Sequence, residues 1–132
     1  MSWFDACHNP QVIEQLYSTP PSLDLLEVRS LSMDGDSARF SISALLPVFP
    51  DQPSQRWHPD SNAALVHLDL WCPQEVRIEG WSGSTTGTFE LERAGPDRLR
   101  FCFRSDSTVI EGQCVAVRIA GVDAYVSTQQ CA

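Results

Sequence analysis

The chain contains no lysine: its nine basic residues are all arginines, set against 17 carboxylates. At a net charge of −8 it lacks the clustered positive charge that a phosphate backbone demands, so no nucleic-acid partner is expected. The acidic balance suits solubility, and it also suits a basic partner. No apolar run approaches the roughly 20 residues that cross a bilayer as a helix, so no membrane partner is expected. The opening stretch from Met1 to Gln11 has neither a basic n-region nor an apolar h-region and is not expected to be a signal peptide. The five cysteines (Cys7, Cys72, Cys102, Cys114 and Cys131) are odd in number, scattered and never in C-x-x-C spacing. Free thiols in a reducing cytoplasm are the expectation. Cys102 and Cys114 fall on strand segments and should behave as buried or half-buried small hydrophobes.

Catalytic and metal motifs are lacking as well. His8, His58 and His67 form no H-E-x-x-H pair, and no cysteine lies at zinc spacing from them, so neither a metal nor another cofactor is expected. There is no G-x-S-x-G elbow. The segment from Gly80 to Gly87, GWSGSTTG, has the look of a phosphate loop, but it has no lysine and joins two strands instead of opening a helix. His67 shares a strand face with Asp69, which allows a His–Asp pair. A site needs further converging partners, and none can be named from the sequence, so a surface or half-buried strand histidine is the plainer reading. Nothing here points to an enzyme.

What is present is a β pattern across 132 residues, 42% of them hydrophobic. That fits one domain over 1–132 with a core that needs no disulfide or metal. The stretch from Leu45 to Trp71 organises it. A strand ends at Ala44 or Leu45. Pro47, Pro50, Pro53 and Pro59 then remove amide donors, which rules out an interior strand and makes a stiff strap. The strap carries the chain across the fold and should plant Trp57 in or over the core. After it, Ala64, Val66, Leu68 and Leu70 mark one face of a central strand, and Leu65, His67, Asp69 and Trp71 the other.

Ahead of the strap, residues 1–19 read as helical, with Asn9 as N-cap, Pro10 at the first helical position and Ile13, Leu16 and Tyr17 on one face. Trp3 and Phe4 should dock this helix, and Thr19-Pro20-Pro21 should stop it. From Leu23 the period becomes two. Leu26 and Val28 are out of phase with Leu31 and Met33, which predicts a bulge near Arg29-Ser30. Asp34-Gly35 signals a hairpin, and Ala38, Phe40, Ile42 and Ala44 share a face on the return.

Beyond the central strand, Val76, Ile78 and Gly80 alternate with Arg77, Glu79 and Trp81. A loop follows over Ser82 to Gly87. Thr88, Glu90 and Glu92 then alternate with Phe89 and Leu91, and Leu99, Phe101 and Phe103 with Arg98, Arg100, Cys102 and Arg104. Val109 to Ile119 holds one or two strands around Gly112, with Val115, Val117 and Ile119 inward, and Val122 to Val126 a last short one. The expected fold is mainly β: an antiparallel β-sandwich or partly open barrel of seven or eight strands with one short N-terminal helix.

Glu75, Glu79, Glu90 and Glu92 take outward positions. Paired carboxylates can run glycoside hydrolysis, but here the alternation with core residues reads as a solvated acidic face, which can be a docking surface. Trp81 is a candidate aromatic anchor beside them, packing at a strand end being its plainer role.

Several features follow one another along nearly the whole chain: Trp3, then Asn9-Pro10 and a helix ending in Leu16-Tyr17; Pro20-Pro21-Ser22-Leu23; Leu46-Pro47 before the proline-rich loop; Arg56-Trp57; Asn62 before the long strand; Gly80-Trp81; and Val117 to Tyr125. In this order and spacing the chain resembles the immunity protein 50 family of bacterial polymorphic-toxin systems. The resemblance implies a non-catalytic protein that binds and neutralises a cognate toxin in the cytoplasm of the producing cell. It assigns no contact residues, so Glu75, Glu79, Trp81, Glu90 and Glu92 stand as the partner-binding set. A toxin of nuclease type, with a basic cleft, would match the acidic surface. The alternative is a small-molecule or carbohydrate-binding β-module with Trp57 and Trp81 as an exposed platform.

Overall fold

In a computed structural model, which describes residues 7–19 and 24–126, the alternating segments become eight strands in one antiparallel sheet. In chain order these are helix α1 (Gln11–Leu16) and strands β1 (Leu26–Asp34), β2 (Arg39–Leu45), β3 (Ala63–Trp71), β4 (Gln74–Glu79), β5 (Thr85–Gly95), β6 (Arg98–Arg104), β7 (Val109–Cys114) and β8 (Ala116–Tyr125). The strand order is β4-β7-β6-β5-β1-β2-β3-β8, an open, mostly β arrangement of the kind the sequence pattern implies.

β5 makes one sheet into two packed halves by changing partners midway. Its first residues, Thr85 to Gly87, pair with Val28 to Leu26 of β1, and from Thr88 onward it pairs with β6. Gly87 sits at the change. A Cβ there would lie 2.0 Å from the carbonyl oxygen of Arg104, so only glycine lets the two backbones come this close. The halves then meet face to face, with Phe40 of β2 against Phe101 of β6 at 5.9 Å between ring centroids. Leu26, Val28, Ile42, Val66, Leu68 and Leu70 from one half and Phe89, Leu99, Phe103 and Ile110 from the other complete the core. Burying each of these side chains contributes about 1.5–3 kcal/mol.

The phase slip in β1 is a real irregularity, the β1–β2 register shifting between Val28 and Ser30. Other details differ from the sequence reading. The helix is shorter than 1–19, and Pro10 is its N-cap without a side-chain bond. Asn9 does not cap it; its side chain amide is drawn to the backbone of Ile119, accepting from the N–H and donating to the C=O, each at 2.8 Å. The helix turns extended at Tyr17. Trp3, Phe4 and the Pro20-Pro21 stop lie outside the described residues. Ala38 does not join the returning strand but sits before it at a φ of 51°. Thr85 to Gly87 belong to a strand, not to the preceding loop. The break between the last two strands falls at Val115, not Gly112. Val115 is 47% exposed, its N–H turned to the carbonyl of Trp71 at 2.9 Å.

The proline strap runs against α1. Tyr17 donates its hydroxyl to the carbonyl of Val48, Ser18 donates to Asp51, and the Gln52 N–H reaches the Leu16 carbonyl at 3.0 Å. Burial, with Asp51 nearby, raises the Tyr17 phenol above its usual range. Trp57 does not enter the core between the sheet halves; it is half-buried against Phe49 at 6.0 Å.

Candidate functional site

The outward face of β4, β7, β6 and β5 collects the charged positions of four strands. β4 and β5 are not neighbours: β7 and β6 lie between them. The expected acidic face is therefore interleaved with arginine. Cys102 is paired with Glu90 on one side and Glu111 on the other, and Arg100 and Arg104 flank it along β6. Arg100 meets Glu92 at 3.3 Å, Arg104 meets Glu111 at 3.5 Å, and Arg77 joins Glu79 at 2.6 Å to Glu111 at 3.2 Å. The Arg77 hydrogen bond holds the Glu79 carboxyl below its usual range. Such exposed pairs are screened by solvent and contribute little, so this ladder sets side-chain positions more than it stabilises the fold. Five carboxylates (Glu75, Glu79, Glu90, Glu92, Glu111) face four guanidinium groups (Arg77, Arg98, Arg100, Arg104), leaving the face close to neutral. The acid surplus of the chain lies elsewhere.

Two of these carboxylates have no hydrogen-bond or ion-pair partner among the described residues: Glu75 and Glu90. Both line one hollow of about 390 Å³, together with Arg100, Cys102, Arg104 and Glu111. Glu75 arrives there through a bulge, where the β4–β7 register shifts between Gln74 and Arg77. Its φ is 55°, a left-handed conformation that costs a non-glycine residue on the order of 1–2 kcal/mol.

Trp81 is not on this face. Strict alternation would put it with Arg77 and Glu79, but Gly80 adopts a φ of 74° and breaks the alternation. A Cβ at Gly80 would stand 1.9 Å from the carbonyl oxygen of Ser107, so the position accepts glycine alone. Trp81 consequently falls on the inner side, packed against the core and lining a separate hollow with Leu31, Met33, Phe40 and Ile78. Trp57 lines a third hollow with Phe49, Pro53 and Pro59. The two tryptophans are half-buried in different places, so they form no shared platform for a planar ligand or a sugar.

The opposite outward face, on β2, β3 and β8, holds a constellation that sequence spacing missed. His67 does not pair with Asp69. Its Nδ1 is 2.8 Å from Ser43 Oγ and its Nε2 is 2.9 Å from Asp123 Oδ2. Asp69 instead accepts from Ser41 Oγ at 2.9 Å and lies 4.0 Å from Arg39, which stacks over Trp71. Register explains both: Ser43 is opposite His67 and Ser41 opposite Asp69 in the β2–β3 ladder. A serine, histidine and aspartate in series have the composition of a nucleophilic triad. An acyl-transfer site also needs free donors for an oxyanion. Here β2 is paired on both edges, to β1 and β3, the β1–β2 register shifting across from Ser43. The series works as a cross-strand tie.

Among the described residues no group of three or more His, Cys, Asp or Glu side chains could hold a metal ion, and no helix is long and apolar enough to cross a membrane. Cys72, Cys102 and Cys114 are free thiols, and Cys131 lies outside the described residues. The family model described as Immunity protein 50 matches residues 9–125. No curated protein and no solved structure matches the chain.

Proposed function

The chain belongs to the immunity protein 50 family, and on that premise we propose that it binds and neutralises a cognate toxin, without chemistry of its own, in the cytoplasm of the cell that makes both. The family match over residues 9–125 is the observation that carries this reading. The toxin-facing surface we assign is the outward face of β4, β7, β6 and β5, centred on Glu75 and Glu90. These two carboxylates line one hollow and have no partner among the described residues, so an arginine or lysine of the toxin would pair with them. Glu79 and Glu92 border them, already tied to Arg77 and Arg100. Trp81 is no anchor on this face. Because the face is nearly neutral, recognition rests on specific pairing there, while the net charge of −8 speeds encounter with a basic toxin, such as a nuclease domain.

Co-expression with the product of the adjacent upstream gene tests the reading, scored by growth rescue and co-purification. Rescue with a stoichiometric complex is the expected result; a neighbour that is harmless alone, or that kills despite this protein, overturns it. Replacing Glu75, Glu79, Glu90 and Glu92 together by arginine should abolish rescue. If that variant still protects, the assigned face is wrong although the inhibitor reading stands.

A further inference from the structure

Among the described residues, two open strand edges are defended and a third is bare. β8, at one end of the sheet, is covered: the His8 N–H donates to the Val117 carbonyl at 2.7 Å, and the Asn9 side chain satisfies both backbone groups of Ile119. β4, at the other end, is six residues long, bulged at Glu75 and charged at Glu75, Arg77 and Glu79. Short length, bulges and charge are what keep a stray strand from adding to an edge. The third edge lies inside the order. β1 pairs with β2 as far as Asp34, but with β5 only up to Val28. Beyond that point the chain from Trp81 to Ser84 peels away and makes no backbone hydrogen bond to β1. Among the described residues nothing pairs with this side of Ser30 to Met33, an edge without a charge. It borders the hollow of about 290 Å³ lined by Leu31, Met33, Phe40, Ile78 and Trp81. Met33 is 55% exposed and Ile78 40%, although both are large and apolar.

We propose that this edge and hollow receive an extended strand of the toxin, which adds to β1 alongside residues 30–34 and lays alternate apolar side chains on Met33, Ile78 and Trp81. The inference rests on the toxin-binding reading and deepens it by naming the kind of segment bound. In strand addition the backbone hydrogen bonds supply affinity and the pockets for alternate side chains supply specificity. The bare edge offers the first and the hollow the second. A second copy of this chain is a poor occupant. It would bring another −8 of charge, and a five-residue strand pair falls far short of the roughly 1,200 Å² that a stable interface buries. Asp34 and Asp36 follow Met33 in the chain and Glu79 follows Ile78, all three exposed, so the incoming strand should carry arginine or lysine beside its apolar residues. β4 separates this hollow from the glutamate face, and a toxin gripping that corner touches both.

Hydrogen exchange read by mass spectrometry, on the isolated protein and on its complex with the adjacent upstream gene product, tests the proposal. The amides of residues 30–34 that are not bonded to β2 should exchange freely in isolation and slow by about tenfold or more in the complex. Met33→Lys, at an exposed position, should weaken the complex by about tenfold or more without lowering the melting temperature. Protection already present in the isolated protein, by its own chain or by a second copy, overturns the proposal. So does a complex in which exchange over 30–34 is unchanged and Met33→Lys binds like wild type; that result leaves the inhibitor reading intact. Failure of the wild-type protein to form any complex overturns both.

Discussion

Glu75 shows how a single residue ties local strain to a surface. Its left-handed backbone brings a carboxylate to the hollow it shares with Glu90, at a cost that glycine would not bear. Glu75→Gly should therefore stabilise the fold by about 1 kcal/mol while weakening toxin binding, a divergence that thermal melts and co-purification would reveal together. Asn9 makes the opposite kind of contribution, holding both backbone groups of Ile119. Asn9→Ala should cost about 1–2 kcal/mol, because part of that pair is left unsatisfied, and should speed exchange of the Ile119 amide. Cys114 differs from Cys72 in environment alone. It is buried, and burial, with Cys72 nearby, pushes its thiol up to about 12. A maleimide should modify the exposed Cys72 promptly at neutral pH and leave Cys114 untouched until the protein unfolds.

At the scale of elements, the hinge is the β5 partner change. Gly87 allows it, and the Cβ of alanine there would overlap the Arg104 carbonyl. Gly87→Ala should destabilise by about 3 kcal/mol or more, as overpacking against a backbone that cannot yield does, visible as a lower denaturant midpoint. Alternation within each strand was legible from the sequence because it depends on neighbours two residues apart: Val66, Leu68 and Leu70 inward, Leu99, Phe101 and Phe103 inward, the slip at Arg29-Ser30. The side on which Trp81 lands was not legible, because it turns on the backbone angle of Gly80. Nor was the His67 partner, since Asp123 is 56 positions away and only the β3–β8 pairing brings it near.

For the whole molecule, acid is the informative perturbation. Hydrogen bonds from Ser18 lower the Asp51 carboxyl, those from Ser37 and Asp36 lower Asp34, and the one from Arg77 lowers Glu79. A carboxyl that binds its proton less readily folded than unfolded favours the folded state above its unfolded value, near 4, and loses that contribution as pH falls through its folded value. All three groups are exposed, so the effect is modest. Melting at pH 3 should come below melting at pH 7, and replacing Asp34 and Asp51 by asparagine should narrow that gap. If the gap is unchanged, those two contacts do not govern acid stability.

The sequence by itself determined the class of the molecule: an acidic, lysine-free, mainly β chain with scattered cysteines, whose motifs in order match an immunity-protein family. These follow from composition, period and spacing, which are local properties of the chain. Only the tertiary structure decided which surfaces exist. The β4-β7-β6-β5 order set arginines among the glutamates and left Glu75 and Glu90 without a partner among the described residues. The departure of β5 from β1 at Val28 opened a bare edge over an apolar hollow. Both are matters of long-range pairing, and the physical reason they escaped the sequence is that hydrogen-bond partners across a sheet are chosen by the register of the whole fold, not by any residue's neighbours in the chain.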